Sequence, residues 1–340
     1  MRKSTFFFLI VPLSLVLWSG CSKQEKVPAG DFENHPIYKH YQFSNNEKVI
    51  EIGVPTPWST VGHIVEVMKR DEILAEELAR EGYSVKFYPF LKGNEINYFM
   101  GKGSLEGTIM GDAPTLKMAA EGRITVLSLF HKGSVSLVSR DVFRVRDLKN
   151  KRVAYPQGSV AHYYLLRLLN EKGMSEAEIR HVPMDTSDMF EAIEQKRIDA
   201  FTTFEPTATV FTRIDPTLHT INRSFSSYGF FSVRKEYAAA HKPAIRALLA
   251  AQFRARNWLG TSDRNRHLAS GWVADESEKF MPLPLKKFIA ELDALCAEDV
   301  PSIMIDYDAV MSRDVLGDGG DLQKEFEFLK RSATIHDSNS

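Results

Sequence analysis

One pattern occurs twice in the chain and constrains its fold more than any other: a short apolar run, a small polar loop, then an apolar helix. The first occurrence is KVIEIGVPTPWSTVGHIVEVM, which begins at Lys48, and the second is VAYPQGSVAHYYLLRLL, which begins at Val153. Apolar runs that end in Pro, Gly and Ser and lead into helical periodicity predict strands connected by helices. Strands and helices that alternate pair in parallel, so the sequence predicts an α/β sheet.

Each occurrence is followed by further strand patterns in a similar order. The predicted strands lie at residues 49–54, 83–90, 105–110 and 124–130, and then at 153–155, 179–184 and 198–203. A constant offset between the two parts sets Asp112 on Glu205, with Pro114 beside Pro206. The similarity predicts two lobes built on one plan.

The last third of the chain turns helical, as the segment HKPAIRALLAAQFRARNWLG indicates. Its spacing predicts one apolar face that carries Ile245, Leu248, Leu249 and Phe253. We therefore expect the chain to cross twice between the lobes, near residues 132–140 and 226–233. The predicted organisation is a discontinuous first lobe (48–135 plus 230–333), a second lobe (136–229) and a frayed tail (334–340).

The N-terminus has the pattern of an export signal. Arg2 and Lys3 precede an apolar run at residues 6–18, which is shorter than the ~20 residues of a membrane span. Ser19, Gly20 and Cys21 follow, and they resemble a bacterial lipobox, in which the cysteine is acylated. The alternative is an ordinary secretory signal with an incidental cysteine. We predict a signal peptide at 1–20 and a lipidated cysteine with a polar tether at 21–47.

Charge and cysteine content exclude several classes of protein. The 340 residues carry 43 Lys and Arg against 44 Asp and Glu, so there is no basic excess that would favour nucleic acid. The cysteines are Cys21 and Cys296, which predicts no disulfide if Cys21 carries lipid. The sequence has no zinc-ligand spacing, no nucleotide-binding glycine loop and no Gly-x-Ser-x-Gly motif. We expect no catalytic residue, no metal and no cofactor.

Candidate site residues come from the loops that follow the predicted strands. In open α/β sheets, ligands bind beyond the carboxyl ends of the strands. Four such loops supply the candidate ligand-binding residues, which are Trp58, Ser59, Gly111, Asp112, Gly158, Ser159, His162 and Glu205.

The start of the helix after Gly158 is the clearest candidate for anion binding. A helix that begins at Ser159 or Val160 presents backbone N–H groups and a positive dipole end, which suit a sulfonate, phosphate, nitrate or carboxylate. Two interpretations stay open for Ser159, which either contacts ligand or only caps its helix. His162 lies in the first turn, where a cation is unfavourable, so we expect it to be neutral and either to pack or to donate to ligand.

The other candidates also have two interpretations each. Trp58 either stacks on a ligand or seals the interface between lobes, and Asp112 either contacts ligand or caps a helix. Glu205 precedes a proline, which favours extended backbone, so it is a poor helix cap. Its carboxylate either receives an amine on the ligand or forms a salt bridge across the lobes.

Three segments carry a resemblance to a known family: GDAPTLKMAAEG, RDLKNKRVAYPQGSVAHYYLLRLLNEKGMS and MFEAIEQKRIDAFTTFEP. They resemble ABC-importer solute-binding proteins of the nitrate, sulfonate and taurine type, a group that includes thiamine-precursor binders. The resemblance covers residues 49–233. It implies a two-lobed periplasmic-binding-protein (type II) fold with two hinge crossings and C-terminal helices. Where the family often has Trp-Glu-Pro, this chain has Phe204, Glu205 and Pro206.

The resemblance also implies a function without chemistry. Such proteins close around a small solute and deliver it to the membrane subunits of an ABC permease. We expect an exported monomer, anchored through Cys21, that binds a small sulfonate, a taurine-like compound or a related nitrogen or sulfur compound between its two lobes. An aminopyrimidine thiamine precursor is the alternative ligand. A sensory lipoprotein and an enzyme on the same fold are the alternative functions.

We predict that Cys21→Ser releases the protein from the membrane fraction, because the acyl chain on this cysteine is the proposed anchor. Fractionation followed by immunoblotting measures the change. The matched control is Cys296→Ser, which removes the other cysteine and is expected to leave the protein with the membrane. A Cys21→Ser protein that still sediments with membranes would contradict the lipobox interpretation.

Overall fold

The computed structural model describes residues 32–57, 59–280 and 284–305, together with residues 324 and 327. The chain forms two units, Met1–His40 and Tyr41–Ser340. In the described part of the first unit there are two 3-10 turns, Phe32–Asn34 and Tyr38–His40. The predicted signal peptide, Cys21 and the tail at 334–340 lie outside the described residues.

A single mixed sheet organises the second unit. Its strand order is β2-β1-β3-β8-β4-β7-β5-β6. In the described part of the chain the strands are β1 (Val49–Val54), β2 (Ser84–Pro89), β3 (Gly107–Gly111), β4 (Ile124–Ser139), β5 (Arg152–Tyr155), β6 (Arg180–Pro183), β7 (Ala200–Phe204) and β8 (His219–Arg234). Parallel pairing of β1 with β2 and β3, and of β5 with β6 and β7, confirms the α/β prediction.

The sheet has two halves that share two long strands. In the first half β2, β1 and β3 are parallel, and β3 pairs antiparallel with the C-terminal part of β8. In the second half β6, β5 and β7 are parallel, and β7 pairs antiparallel with the C-terminal part of β4. Strands β4 and β8 pair antiparallel along their whole length and pass through both halves. It follows that β1 and β3 run opposite to β5 and β7.

Helices cover both halves of the sheet. Over the same described residues they are α1 (Thr60–Met68), α2 (Glu72–Arg80), α3 (Gly93–Gly101), α4 (Asp112–Ala120), α5 (Val160–Glu171), α6 (Thr186–Glu194), α7 (Thr207–Ile214), α8 (Lys235–Ala240), α9 (Lys242–Thr261), α10 (Asp263–Phe280) and α11 (Ile289–Ile305). None of the helices within these ranges is long and apolar enough to cross a bilayer.

The C-terminal helices contribute to the cores of both halves. Ala269 of α10 and Cys296 of α11 are buried in the core of the first half, with Ile52 of β1. Val273 of α10 and Leu292 of α11 are instead buried in a core of the second half. The helices that the sequence prediction assigned to the first lobe therefore pack on both halves, and they link them in addition to β4 and β8.

The predicted apolar face of α9 was wrong at one position. Ile245 and Leu248 are buried as expected, but Phe253 is 59% exposed. Gln252 takes the inward position instead, because its side chain donates to the Leu129 carbonyl at 3.1 Å and accepts from Ser128 Oγ at 2.7 Å. The burial of this amide is tolerated because both its donor and its acceptor have partners.

Close approach of backbone at α1 requires Gly62. A Cβ atom placed on Gly62 would lie 1.7 Å from the carbonyl oxygen of Pro57. The Gly62 N–H donates to the carbonyl of Ser59 at 2.8 Å, so the loop that follows β1 folds back onto the first turn of α1. The absence of a side chain at this position therefore lets the loop lie against the start of the helix.

We predict that Gly62→Ala lowers the free energy of unfolding by about 1–3 kcal/mol, as overpacking does elsewhere. The matched control is Gly271→Ala in α10, where an added Cβ meets nothing within 4 Å. Alanine is favoured over glycine in a helix, so that variant should be unchanged or more stable by up to about 1 kcal/mol. Urea unfolding compares the two, and equal stability of the two variants would contradict the close approach.

Candidate ligand-binding site

The carboxyl ends of the two parallel strand groups face each other. At the end of β3, Gly111 pairs with Gly229 of β8, and Gly229 pairs with His131 of β4. At the end of β7, Phe204 pairs with Val135 of β4. The two edges are thus separated along β4 by four residues, or about 13 Å at a strand's rise per residue. The loops that follow these strands therefore begin at facing edges of the sheet.

The candidate residues lie on these facing edges. On the first edge, Ser59 follows β1, Gly111 ends β3 and Asp112 directly follows it. The second edge carries the candidates that follow β5 and β7, which are Gly158, Ser159, His162 and Glu205. Trp58 lies outside the described residues. The structure therefore brings seven of the eight predicted positions to one region.

The loop before α5 is shaped by Gly158 and Ser159. Gly158 has a φ of 67°, in the left-handed region that favours glycine. The Ser159 hydroxyl donates to the Pro156 carbonyl at 2.7 Å and accepts from the His162 N–H at 3.4 Å. Ser159 is thus the N-cap of α5. The N–H groups of the next two residues, Val160 and Ala161, have no acceptor within the helix and are the groups that an anion would meet.

His162 is held as a packed, neutral imidazole. Its ring stacks on Tyr155, with centroids 4.2 Å apart and an interplanar angle of 8°. Its Nδ1 accepts a hydrogen bond from the Gly158 N–H at 3.4 Å. Burial, and to a lesser degree the nearby His181, lower the pKa of His162 from 6.5 to about 4. The expectation of a neutral side chain agrees with this value, and the contacts favour the packing interpretation.

Ser59 lies in the loop that follows β1 and packs against Gly62. Its hydroxyl donates to the carbonyl of Thr56 at 2.9 Å. Although Ser59 occupies the N-cap position of α1, its side chain makes no capping hydrogen bond. The hydroxyl therefore stabilises the turn after β1.

Asp112 ties the first edge to β8. It is the first residue of α4, and Gly111 rather than Asp112 is the N-cap. One carboxylate oxygen accepts from the Ala113 N–H at 3.0 Å and the other from the Tyr228 N–H at 3.1 Å. With 1% of its surface exposed, this carboxylate connects the loop after β3 to β8.

Glu205 is also occupied by protein groups. Its Oε1 accepts from the Ser136 hydroxyl at 2.6 Å, and its Oε2 accepts from the Thr209 N–H at 3.1 Å. The Nε of Arg223 lies 3.5 Å from Oε1, and the same guanidinium binds Glu298 of α11 at 2.8 Å. The predicted salt bridge thus has a partner, although Arg223 lies in β8 of the same half.

Sequence reasoning missed three charged residues near these edges. Arg223 balances Glu205, and Lys92 forms an ion pair with Asp185. Lys92 directly precedes α3 and Asp185 directly precedes α6, so both follow strands that the sequence did predict. A search of every strand end, rather than of four, would have found Lys92 and Asp185, whereas Arg223 lies within β8. Within the described ranges no group of His, Cys, Asp and Glu has the arrangement of a metal site.

A comparison with known protein families finds a match to one continuous segment, which contains all the strands of the second half. Residues 124–260 match the model of NMT1/THI5-like proteins. The chain carries an NMT1/THI5-like region. This region contains β4, β5, β6, β7 and β8, and with them the loops of the second edge.

Two relatives of the chain are binding proteins of Escherichia coli K12. One is assigned as an aliphatic sulfonates-binding protein, 27% identical over 43% of this chain and 47% of its own length. The other is a taurine-binding periplasmic protein, 22% identical over 58% of this chain and 63% of its own length. The chain matches less than two thirds of either relative.

The fold extends beyond the NMT1/THI5-like region. The crystal structure of the periplasmic aliphatic sulphonate binding protein from Escherichia coli superposes with a TM-score of 0.61 at 18% identity. The match covers 84% of this chain and 93% of that one. The prediction of a periplasmic-binding-protein fold is therefore confirmed.

We predict that His162 causes the free energy of unfolding to decrease as the pH falls below 6.5. Its pKa is lowered in the folded state, so its contribution is complete above pH 6.5 and is lost as the pH falls toward 4. Between pH 7 and pH 4.5, the wild type should lose about 2.5 kcal/mol more than His162→Asn, because Asn does not titrate.

Urea unfolding at the two pH values measures this difference, and an NMR titration of the His162 ring measures the midpoint directly. The comparison at pH 7 is the control, since it isolates the effect of the substitution on packing. An identical pH dependence in both proteins, or a midpoint near 6.5, would contradict the assignment.

Proposed function

We propose that the chain is the extracytoplasmic solute-binding receptor of an ABC importer and that it binds a small sulfonate. The observation that carries the proposal is the pair of facing strand edges, which leaves about 13 Å along β4 between Gly111 and Phe204. The sulfonate- and taurine-binding relatives support the ligand class.

The two halves of the sheet act as lobes in this proposal. We assign 48–135 with 230–261 to one lobe and 136–229 to the other, and α10 and α11 contact both. Motion would centre on residues 131–135 of β4 and 224–229 of β8, since these parts of the two strands lie between the facing edges. Irregular pairing between Leu129 and His131, and between Gly133 and Ser134, supports a site of bending.

The ligand is proposed to be an anion rather than a zwitterion. Asp112 and Glu205 both accept hydrogen bonds from the protein, and Arg223 lies beside Glu205. Because these carboxylates are already engaged, neither needs an amine from the ligand to balance it. The N–H groups at the start of α5 supply donors for a sulfonate.

The remaining assignments follow from the transport role. The relatives are binding proteins, which supports a function without catalysis for this chain. We propose export, anchoring to the membrane through Cys21, and delivery of the ligand by a monomer to permease subunits.

We predict that an alkanesulfonate stabilises the protein more than taurine, nitrate or an aminopyrimidine. At a concentration of 100 times its dissociation constant, a ligand adds about 2.7 kcal/mol to stability and raises the melting temperature by several degrees. A thermal-shift panel with ethanesulfonate, taurine, nitrate and an aminopyrimidine measures the order. Preference for the aminopyrimidine, or no response to any sulfonate, would contradict the proposal.

We predict that Glu205→Gln changes the affinities for ethanesulfonate and taurine by the same factor, because Glu205 positions its loop. Isothermal titration measures both affinities, and Glu76→Gln, at an exposed position on α2, is the control. If Glu205 instead received the taurine amine, the variant would lose about 2 kcal/mol or more for taurine alone. That selective loss would contradict the positioning role.

A further inference from the structure

We propose that Lys92 and Asp185 form a latch that holds the two lobes together across the site and raises the population of the closed form. The inference rests on the proposed function, since it requires lobes that move. It goes beyond that function because it assigns two residues a role in closure that is independent of the ligand.

The positions of the two residues in the sheet carry the inference. Lys92 follows β2 and Asp185 follows β6, and these are the outermost strands of the eight-stranded sheet. The two residues nevertheless form an ion pair between Nζ and Oδ2. Strands at opposite ends of one sheet bring their following residues together only when the halves bend toward each other. The ion pair is therefore a contact of the closed arrangement.

The two positions are also equivalent. Lys92 is the N-cap of α3 in the first half, and Asp185 is the N-cap of α6 in the second half. Each therefore stands where a parallel strand on the edge of its half leads into a helix. The position between the edge strand and the next helix therefore holds the cation Lys92 in the first half and the anion Asp185 in the second half.

Neither residue is explained by its own helix. An aspartate at an N-cap usually accepts a hydrogen bond from the first turn, but the Asp185 side chain makes no capping bond. A cation at a helix N-terminus is unfavourable, yet Lys92 occupies that position in α3. The Lys92 backbone N–H is instead bound by Glu95 at 2.9 Å. The ion pair between the two halves explains why a lysine and an aspartate occupy these two N-cap positions.

The exposure of the pair suits a contact that forms and breaks. The side chains of Lys92 and Asp185 are 40% and 48% exposed. Ion pairs with this exposure contribute little and are screened by salt. The latch is expected to change the ratio of closed to open protein about two- to fivefold, which biases closure without preventing release.

The test measures the distance between lobes in the full chain without ligand. Spin labels at Glu76→Cys on α2 and Lys149→Cys before β5 report on the two halves, and both positions are exposed. Cys296 is buried. Double electron–electron resonance in low salt then gives the populations of closed and open forms. The variants compared are Lys92→Gln, Asp185→Asn, the double variant and the exchange of Lys92→Asp with Asp185→Lys.

Each single variant should lower the closed-to-open ratio about two- to fivefold, and the double variant should be no lower than either single one. The exchange should restore the ratio, and 1 M NaCl should bring the wild type to the level of the variants. Arg144→Gln is the control, because it breaks an exposed pair with Asp147 inside one half. Melting temperatures establish that every variant is folded.

Unchanged ratios in the single variants, one distance in all proteins, or an equal effect of Arg144→Gln would overturn the latch. Because no ligand is present, this result is separate from the sulfonate proposal. A latch effect in a protein that ignores sulfonates would refute only the ligand, and sulfonate binding without a latch effect would refute only the latch.

Discussion

The antiparallel pairing of β4 with β8 is the constraint on which the rest of the structure depends. Each strand has 16 residues, and their pairing runs from Ile124 opposite Arg234 to Ser139 opposite His219. The first parallel group attaches to one end of this pair through β3, and the second attaches to the other end through β7. Because the two attachments are made on opposite sides, the parallel groups run in opposite directions and their carboxyl ends meet near the middle of the pair.

That arrangement buries charged residues that follow β3 and β7, so these residues need hydrogen-bonding partners from the protein. Burial of a carboxylate is costly unless it is paired or hydrogen-bonded, and both Asp112 and Glu205 are almost fully buried. The protein meets this cost with backbone N–H groups from Tyr228 and Thr209, with the Ser136 hydroxyl, and with Arg223. The same contacts join each loop to a neighbouring strand or helix, so the electrostatics of the edges also fix their shape.

The C-terminal helices add a second connection between the halves. Ala269 and Val273 lie one turn apart on α10, yet they enter the cores of different halves. Glu298 of α11 binds Arg223, which in turn contacts Glu205 at the second edge. The loop after β7 is therefore connected, through the guanidinium of Arg223, to a helix that packs on both halves.

Local patterns in the sequence predicted many of the strands and helices and the positions of the candidate site residues. The strand at 49–54 has the predicted bounds, and Ser159 caps the predicted helix, because hydrophobic alternation and capping depend on residues a few positions apart. Because strand ends are also marked by such local patterns, the sequence placed seven of the described candidate residues at strand ends. Because strand ends of parallel groups converge, that position alone was enough to predict a common site.

Tertiary structure decided which partners those residues have. Asp112 meets Tyr228, 116 positions away, and Lys92 meets Asp185, 93 positions away. Gln252 is buried because both of its partners lie on β4, more than 120 positions earlier, while the adjacent Phe253 is exposed. No local pattern encodes such contacts, since they arise only when the long strands β4 and β8 bring the distant segments together. The sequence by itself indicated strands β1 to β7 and the loops that follow them, but it indicated only the first part of β4 and did not indicate β8. The pairing of β4 with β8, which depends on contacts between distant segments, decided what those loops contact.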